Sequence, residues 1–360
     1  MRNALTSRLL SAAVALCMLL SLTGPAHAWV DGDTKTKYPI VLVPGVMGFD
    51  TLFGSIEYFY KVADGIRDYS GGQKTYNVSL SAWMSTEERG VALKNELTRI
   101  LKTHYGVTTL TPAHKVNIIA HSHGATTSRV AAKLMQDNIA SLTTVAGPHY
   151  GTPMPDYAVT LPKPVLMAAI AGINVAGSVV ALFSGRLDWL FQQNANGVLN
   201  DFTQAGMQQF NAKYPSAGVP VGGSYGTKQY GADATAPGKW AGDGQGAEKS
   251  VNDPNAILFY SFTGNIHNET FTAPGFPLIT DPADWALLVI RKFGNWYGYS
   301  GDADSFIPVS SAQFGRNISS SYWWNHVDEQ NQTLGLLAWG AADPVSVYRA
   351  HANRLKLAGR

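Results

Sequence analysis

The sequence is almost without cysteine: one, Cys17, in 360 residues. A single thiol excludes an intrachain disulfide framework, a CxxC redox pair and a thiolate zinc cluster. Charge is scarce as well. Asp, Glu, Lys and Arg make up 14% of the chain, against about 25% in an average soluble domain. With 45% hydrophobic residues, that balance excludes a disordered protein, which needs low hydrophobicity and high charge. Lys and Arg number 27 against 25 Asp and Glu, a net charge of +2 with no basic run. Too little positive charge is gathered to neutralise phosphates, so nucleic-acid binding is excluded too. There is no internal repeat and no coiled-coil heptad. What the chain has is length enough for one large domain with an ample core.

The first 28 residues have the pattern of a signal peptide. Arg2 and Arg8 form a positive start, Leu9 to about Leu20 an apolar stretch, and Ala26-His27-Ala28 an A-x-A cleavage pattern. The apolar stretch is shorter than the ~20 residues of a spanning helix. Cleavage after Ala28 removes two arginines and no acid, which cancels the net charge, and it removes Cys17 as well. The expectation is a secreted protein without a thiol. No later segment pairs a long charge-free apolar run with a stop-transfer pattern, so no stable transmembrane segment is expected.

Strand and helix signals alternate through the first half. Tyr38-Pro-Ile-Val-Leu-Val43, Val116-Asn-Ile-Ile-Ala120 and Leu142-Thr-Thr-Val-Ala146 read as short buried strands. Ser85-Thr-Glu-Glu88 is an S-x-x-E capping box that opens a helix to about Tyr105, and His123 to about Asn138 reads as a second helix. This βαβ alternation predicts an α/β fold with a parallel sheet flanked by helices. Ser216–Asp253 lacks periodicity and reads as loop. Regular structure returns as a strand at Ala256–Thr263 and helices at Pro282–Phe293 and Pro344–Leu357.

Ala120-His121-Ser122-His123-Gly124 sits between a strand and a helix. A sharp strand-to-helix turn needs tiny residues two before and two after its apex, and Ala120 and Gly124 supply them. Such a turn lifts the Ser122 hydroxyl above the sheet at a helix N-terminus, which favours developing negative charge. A serine nucleophile needs a base, and the base an orienting acid. In the order Ser, acid, His, the late histidines are His267, His326 and His351. His351 falls in the terminal helix as a surface or packing residue, and His267 precedes most candidate acids. His326, in a loop after a short strand, is the candidate base. The acid is Asp302 or Asp304, between which the residues alone do not choose. His121 and His149 read as structural.

At these residues the chain resembles the secreted bacterial triacylglycerol lipases of the Pseudomonas/Burkholderia type. The segments that carry the likeness include Tyr38–Val43, Gly48-Phe49-Asp50, Arg89-Gly90, Ala120–Gly124, Gly147-Pro-His149, Asp281-Pro282, Asn325-His-Val-Asp-Glu329 with Asn331-Gln332, and His351-Ala-Asn-Arg-Leu-Lys356. The resemblance implies an α/β-hydrolase fold with a mostly parallel central sheet and a helical lid over approximately residues 154–188. It places the nucleophile at Ser122 and the base at His326. It selects Asp304 as acid, because the family's acid precedes its His by 22 residues, as Asp304 does. It implies an oxyanion hole from the backbone N–H groups of Val46 and His123. The family's His-Gly pair before the first donor is here Pro44-Gly45, so a loop-fixing histidine is missing.

The resemblance also implies one structural calcium ion held by Asp281, Asp328, Gln332 and Leu336, the last two through backbone oxygens. Two carboxylates with carbonyls make a hard oxygen shell. The family's disulfide is absent, which leaves calcium as the only expected cross-link. The lid segment Val165–Phe183 has almost no polar face. As surface helices it would expose apolar area that marks an interaction site, and Gly172, Ala176 and Gly177 would serve close packing. The other reading is a buried core helix. The expected activity is hydrolysis of long-chain triacylglycerol esters at an oil–water interface. The competing activities are sterol-ester, short-chain ester or polyester hydrolysis, and an inactive lipid-binding homologue. The family often needs a dedicated folding chaperone, a further expected partner.

Overall fold

A computed structural model describes residues 32–67, 74–216, 218, 219, 225, 257–266, 287, 291, 299, 301–338 and 340–360. The expected signal peptide, Asp281, His267 and nearly all of the expected helix Pro282–Phe293 lie outside these residues.

Among the described residues, six parallel strands form the central sheet, in the spatial order Thr75–Asn77, Ile40–Val43, Val116–His121, Ile139–Val145, Leu258–Gly264, Arg316–Tyr322. The first strand begins at Ile40 rather than Tyr38 because Pro39 has no N–H for the ladder; its carbonyl accepts from Asn117 N instead. Successive residues then point to opposite faces. Val41 and Val43 enter a core with Leu93, Leu97 and Leu101, while Ile40 and Leu42 enter another with Phe59, Ile66 and Tyr348. Helices Thr86–Tyr105 and His123–Leu134 cover the first face, and Val62–Arg67 and Pro344–Leu357 the second. The two helices on the first face approach at Gly90, where a Cβ would lie 2.3 Å from Val130 Cβ. Strand Arg316–Tyr322 lies at the sheet edge and is only half-buried, which suits its run of serines.

Ser85 is the N-cap of its helix, as expected, yet its side chain makes no bond to a helix N–H. Its hydroxyl donates to Glu88 Oε2 at 2.6 Å. The Thr86 N–H donates to Asp201 Oδ2, from another helix, at 2.7 Å. A tertiary carboxylate has taken over the cap.

The apolar segment is one helix of 21 residues, Lys163–Phe183, preceded by the short helix Pro153–Ala158. It is not a core helix. Only Ile170, Gly177 and Ala181 are buried, while Val165, Met167, Val175 and Leu182 are exposed. By length and composition it is apolar enough to cross a membrane. Close packing uses Gly177 alone of the three small residues. A Cβ there would lie 2.4 Å from Trp83 Cδ1, whereas Gly172 faces open space and Ala176 is exposed. The helix end is held by Phe53, whose N–H donates to Phe183 O and whose ring meets that of Phe183 at 4.7 Å.

Candidate active site

Strand Val116–His121 ends directly beneath helix His123–Leu134, and Ser122 is the single residue between them. Its backbone has φ 54° and ψ −126°, a region that costs an ordinary L-residue about 1–3 kcal/mol. The surroundings hold it there. Ser122 N donates to Val145 O. A Cβ on Gly124 would come within 2.6 Å of the Pro44 and Val43 carbonyl oxygens, and one on Gly45 within 2.7 Å of Ser122 Cβ. The tiny residues in this part of the sequence are therefore a packing requirement.

The structure brings together Ser122, His326 and Asp304. His326 Nε2 lies 3.0 Å from Ser122 Oγ, and His326 Nδ1 lies 2.7 Å from Asp304 Oδ2. Asp304 is fully buried. Its other oxygen accepts from Phe306 N at 2.9 Å and Ile307 N at 2.7 Å, which aims Oδ2 at the imidazole. Phe306 packs edge-on against the His326 ring at 5.3 Å. Such a chain can deprotonate the serine and return the proton to a leaving group.

Both expected oxyanion donors border this chain. His123 is the first residue of its helix, so its N–H has no intrahelical acceptor. Val46 lies on the loop after the first strand. Arg89, fully buried, donates from Nη2 to Pro44 O at 3.0 Å and to Gly45 O at 2.5 Å. In a trans peptide the N–H points opposite the C=O. Gripping the Gly45 carbonyl thus turns the Val46 N–H the other way. Burial lowers the Arg89 pKa to about 9, and the Tyr58 phenol opposes that shift. Where the family pattern has a loop-fixing histidine and this chain has Pro44, a buried guanidinium fixes the loop. The Arg89-Gly90 pair was visible in the sequence, but its task was not.

Sequence reading assigned no role here to Tyr58 or Glu329, and it read His121 as structural. All three lie in the site. The His121 and His326 rings are 4.6 Å apart, and Glu329 Oε2 lies 3.7 Å from His326 Nδ1. Burial and then the neighbouring Asp304 charge push the Glu329 carboxyl well up. Burial, then His326, holds His121 well below the usual histidine range. Glu329 lay within a quoted motif, whereas Tyr58 carried no signal. His149 and His351 are packing residues. His351 is fully buried and bonds Thr143 Oγ1 at 2.7 Å, so it is not on the surface. His149 stacks on Phe314 at 4.6 Å.

Of the expected calcium ligands, Asp281 lies outside the described residues. Asp328 is buried, and its Oδ2 accepts from Asn325 N at 2.9 Å. The Gln332 side-chain nitrogen donates to Tyr58 O at 2.6 Å and to Glu57 O. Leu336 is exposed. A buried carboxylate with main-chain oxygens is chemistry that fits calcium.

A helix-flanked parallel sheet with a serine on a strained strand-to-helix turn, a histidine against its hydroxyl and an acid behind, defines an α/β-hydrolase. No protein-family model matches the chain. A triacylglycerol lipase of Burkholderia plantarii is 32% identical over 385 residues, covering 100% of this chain and 99% of that protein. One of Pseudarthrobacter phenanthrenivorans is 33% identical over 349 residues, 91% of this chain and 99% of its own. The chain belongs to this family of bacterial triacylglycerol lipases. Among solved structures, lipase 1 of Pelosinus fermentans superposes with a TM-score of 0.52 at 16% identity, over 89% of this chain and 99% of that one. That likeness concerns the fold.

Proposed function

We propose that this protein is a triacylglycerol lipase that hydrolyses long-chain acylglycerol esters through an acyl-enzyme on Ser122. The observation that carries the reading is the continuous chain from Asp304 through His326 to Ser122, at 2.7 and 3.0 Å. Ser122 Oγ attacks the ester carbonyl as His326 Nε2 takes its proton. The Val46 and His123 amides receive the developing oxyanion, an interaction worth about 3 kcal/mol per donor. His326 then protonates the departing alcohol. Water, deprotonated by the same nitrogen, releases the fatty acid. Asp304 keeps the imidazole in the tautomer this needs.

One calcium ion, bound by Asp281, Asp328 and the Gln332 and Leu336 carbonyls, would cross-link the loop that carries His326. Helix Lys163–Phe183 acts as a lid, and its exposed apolar side chains suit contact with a lipid surface. The protein is secreted after cleavage near Ala28, and its folding chaperone is a partner to seek by expressing the chain alone.

The test compares hydrolysis of an emulsified long-chain triacylglycerol with that of a dissolved short-chain ester, on mature protein with calcium present. Preference for the emulsion is expected. Activity on the dissolved ester alone would remove the lipase reading and leave an esterase. Failure of an organophosphonate to label Ser122 would remove both.

A further inference from the structure

A second chain of acid, histidine and hydroxyl runs beside the first. Glu329 Oε2 lies 3.1 Å from His121 Nε2, and His121 Nδ1 lies 2.7 Å from the Tyr58 hydroxyl. All three residues are buried, with Tyr58 the most accessible at 6%. The chain does not end in solvent or substrate. The Tyr58 oxygen abuts the Gly45 main chain, where a Cβ on Gly45 would lie 2.7 Å from it.

We propose that Glu329, His121 and Tyr58 form a positioning chain for the oxyanion loop, with Tyr58 packed against Gly45 on one side while Arg89 holds the carbonyls from the other. The proposal rests on the reading of Ser122 as nucleophile and deepens it. His121 bonds the phenol through Nδ1 and the Glu329 carboxyl through Nε2, so one ring nitrogen donates and the other accepts. That carboxyl is locked, since it also accepts from Thr263 Oγ1 at 3.1 Å and from Gly264 N. Each acceptor sets the tautomer or rotor of the next group.

The loop needs such a clamp because of its glycine. No larger residue fits between Ser122 and Tyr58, yet a glycine has no side chain to restrict its backbone. Its dihedrals must be fixed from outside. The Pro44–Gly45 peptide is gripped at its carbonyl by Arg89, and the Tyr58 hydroxyl closes the space beside Gly45. The next peptide is gripped at the Gly45 carbonyl, and its N–H is the Val46 donor. Misplacing a preorganised donor by a fraction of an ångström reduces the stabilisation it gives only to the transition state. The ligand atoms of His121, His326 and Glu329 also lie within 4.8 Å of one another, a spacing that could hold a metal. Both nitrogens of each histidine are already engaged, so the cluster is a hydrogen-bond network.

The test uses a dissolved short-chain ester, so that interfacial effects do not enter. The protein is compared with Ser122→Ala, Tyr58→Phe, His121→Asn and His121→Leu for kcat, KM, thermal midpoint and affinity for an alkylboronic acid, a mimic of the tetrahedral intermediate. Tyr58→Phe is expected to lower kcat about tenfold with KM within twofold, and to weaken the boronic acid by about the same factor. His121→Asn places an oxygen near the Nδ1 position and is expected to keep severalfold more kcat than His121→Leu. Tyr58→Phe with kcat within twofold of the parent, beside an inactive Ser122→Ala, would overturn the positioning chain alone. Equal losses in the two His121 variants, in step with their thermal midpoints, would overturn it too. Hydrolysis surviving in Ser122→Ala would instead bring down the proposed function.

Discussion

Two histidines stand side by side at the end of the sheet, each between an acid and a hydroxyl. Their bond lengths are similar: 2.7 and 3.0 Å around His326, 3.1 and 2.7 Å around His121. What differs is the last group. Ser122 stands on a strained backbone directly before a helix N-terminus. The Tyr58 hydroxyl lies against the Gly45 main chain, and its ring is wedged between those of Phe49 and Phe59, with centroids at 5.3 and 5.2 Å. A hydroxyl lifted on a turn at a helix N-terminus can attack, whereas one packed against main chain and rings can only hold something in place. The comparison teaches that a triad is defined by where its hydroxyl stands, because the acid and histidine alone occur twice here.

The largest test of that contrast is to remove each histidine in turn. His326→Ala is expected to lower kcat by about 10⁴-fold or more, and His121→Ala by about tenfold. Comparable losses, measured on a dissolved ester, would erase the distinction. Chelation should strike both chains, since His326 and Glu329 share the loop proposed to bind calcium. Excess EDTA is expected to remove about 3 kcal/mol of stability, read as a lowered thermal midpoint with a parallel fall in activity. An unchanged midpoint would count against the metal.

Acid separates stability from catalysis through two histidines that belong to neither chain. Burial, and then Arg129 and Arg354 respectively, hold His149 and His351 well below the usual histidine value. The folded protein keeps them neutral where the unfolded chain protonates them. Their contribution is complete above about pH 6.5 and is lost as pH falls below it, at about 1.4 kcal/mol per pH unit for each. Urea unfolding between pH 5 and 7 should show that slope, steepened by His121 and His123, which burial also holds low, and reduced by one proton in His351→Gln. The smallest effect serves as the control. Asp343 caps the last helix, accepting from Val345 N at 3.1 Å and Ser346 N at 3.0 Å. Asp343→Ala is expected to cost about 1 kcal/mol and to leave kcat unchanged in both chains.

Features set by local pattern were legible in the sequence. The apolar runs located the buried strands, because a strand covered on both faces has little room for polar residues. Tiny residues around Ser122 marked the turn, because packing there admits nothing larger. Other features depend on distant partners. Asp201 displaced Ser85 as helix cap across 115 residues, and no local rule anticipates a tertiary carboxylate. Strand Arg316–Tyr322 carries serines because it lies at the sheet edge, which weakens the apolar signal. Tyr58 is 63 residues from His121, and a tyrosine within an aromatic stretch reads as core. Asp302 and Asp304 differ only in which one the loop turns inward.

The segment from Asn325 to Gln332 holds His326, the acid of the other histidine and a glutamine tied to the Tyr58 carbonyl. Eight consecutive residues thus set the alignment of both networks. For anyone recombining such enzymes, this stretch is a single unit of inheritance. A crossover inside it would give one histidine a native partner and the other a foreign one. Chimeras are better joined past Gly335, so that both histidines keep the acids they pair with.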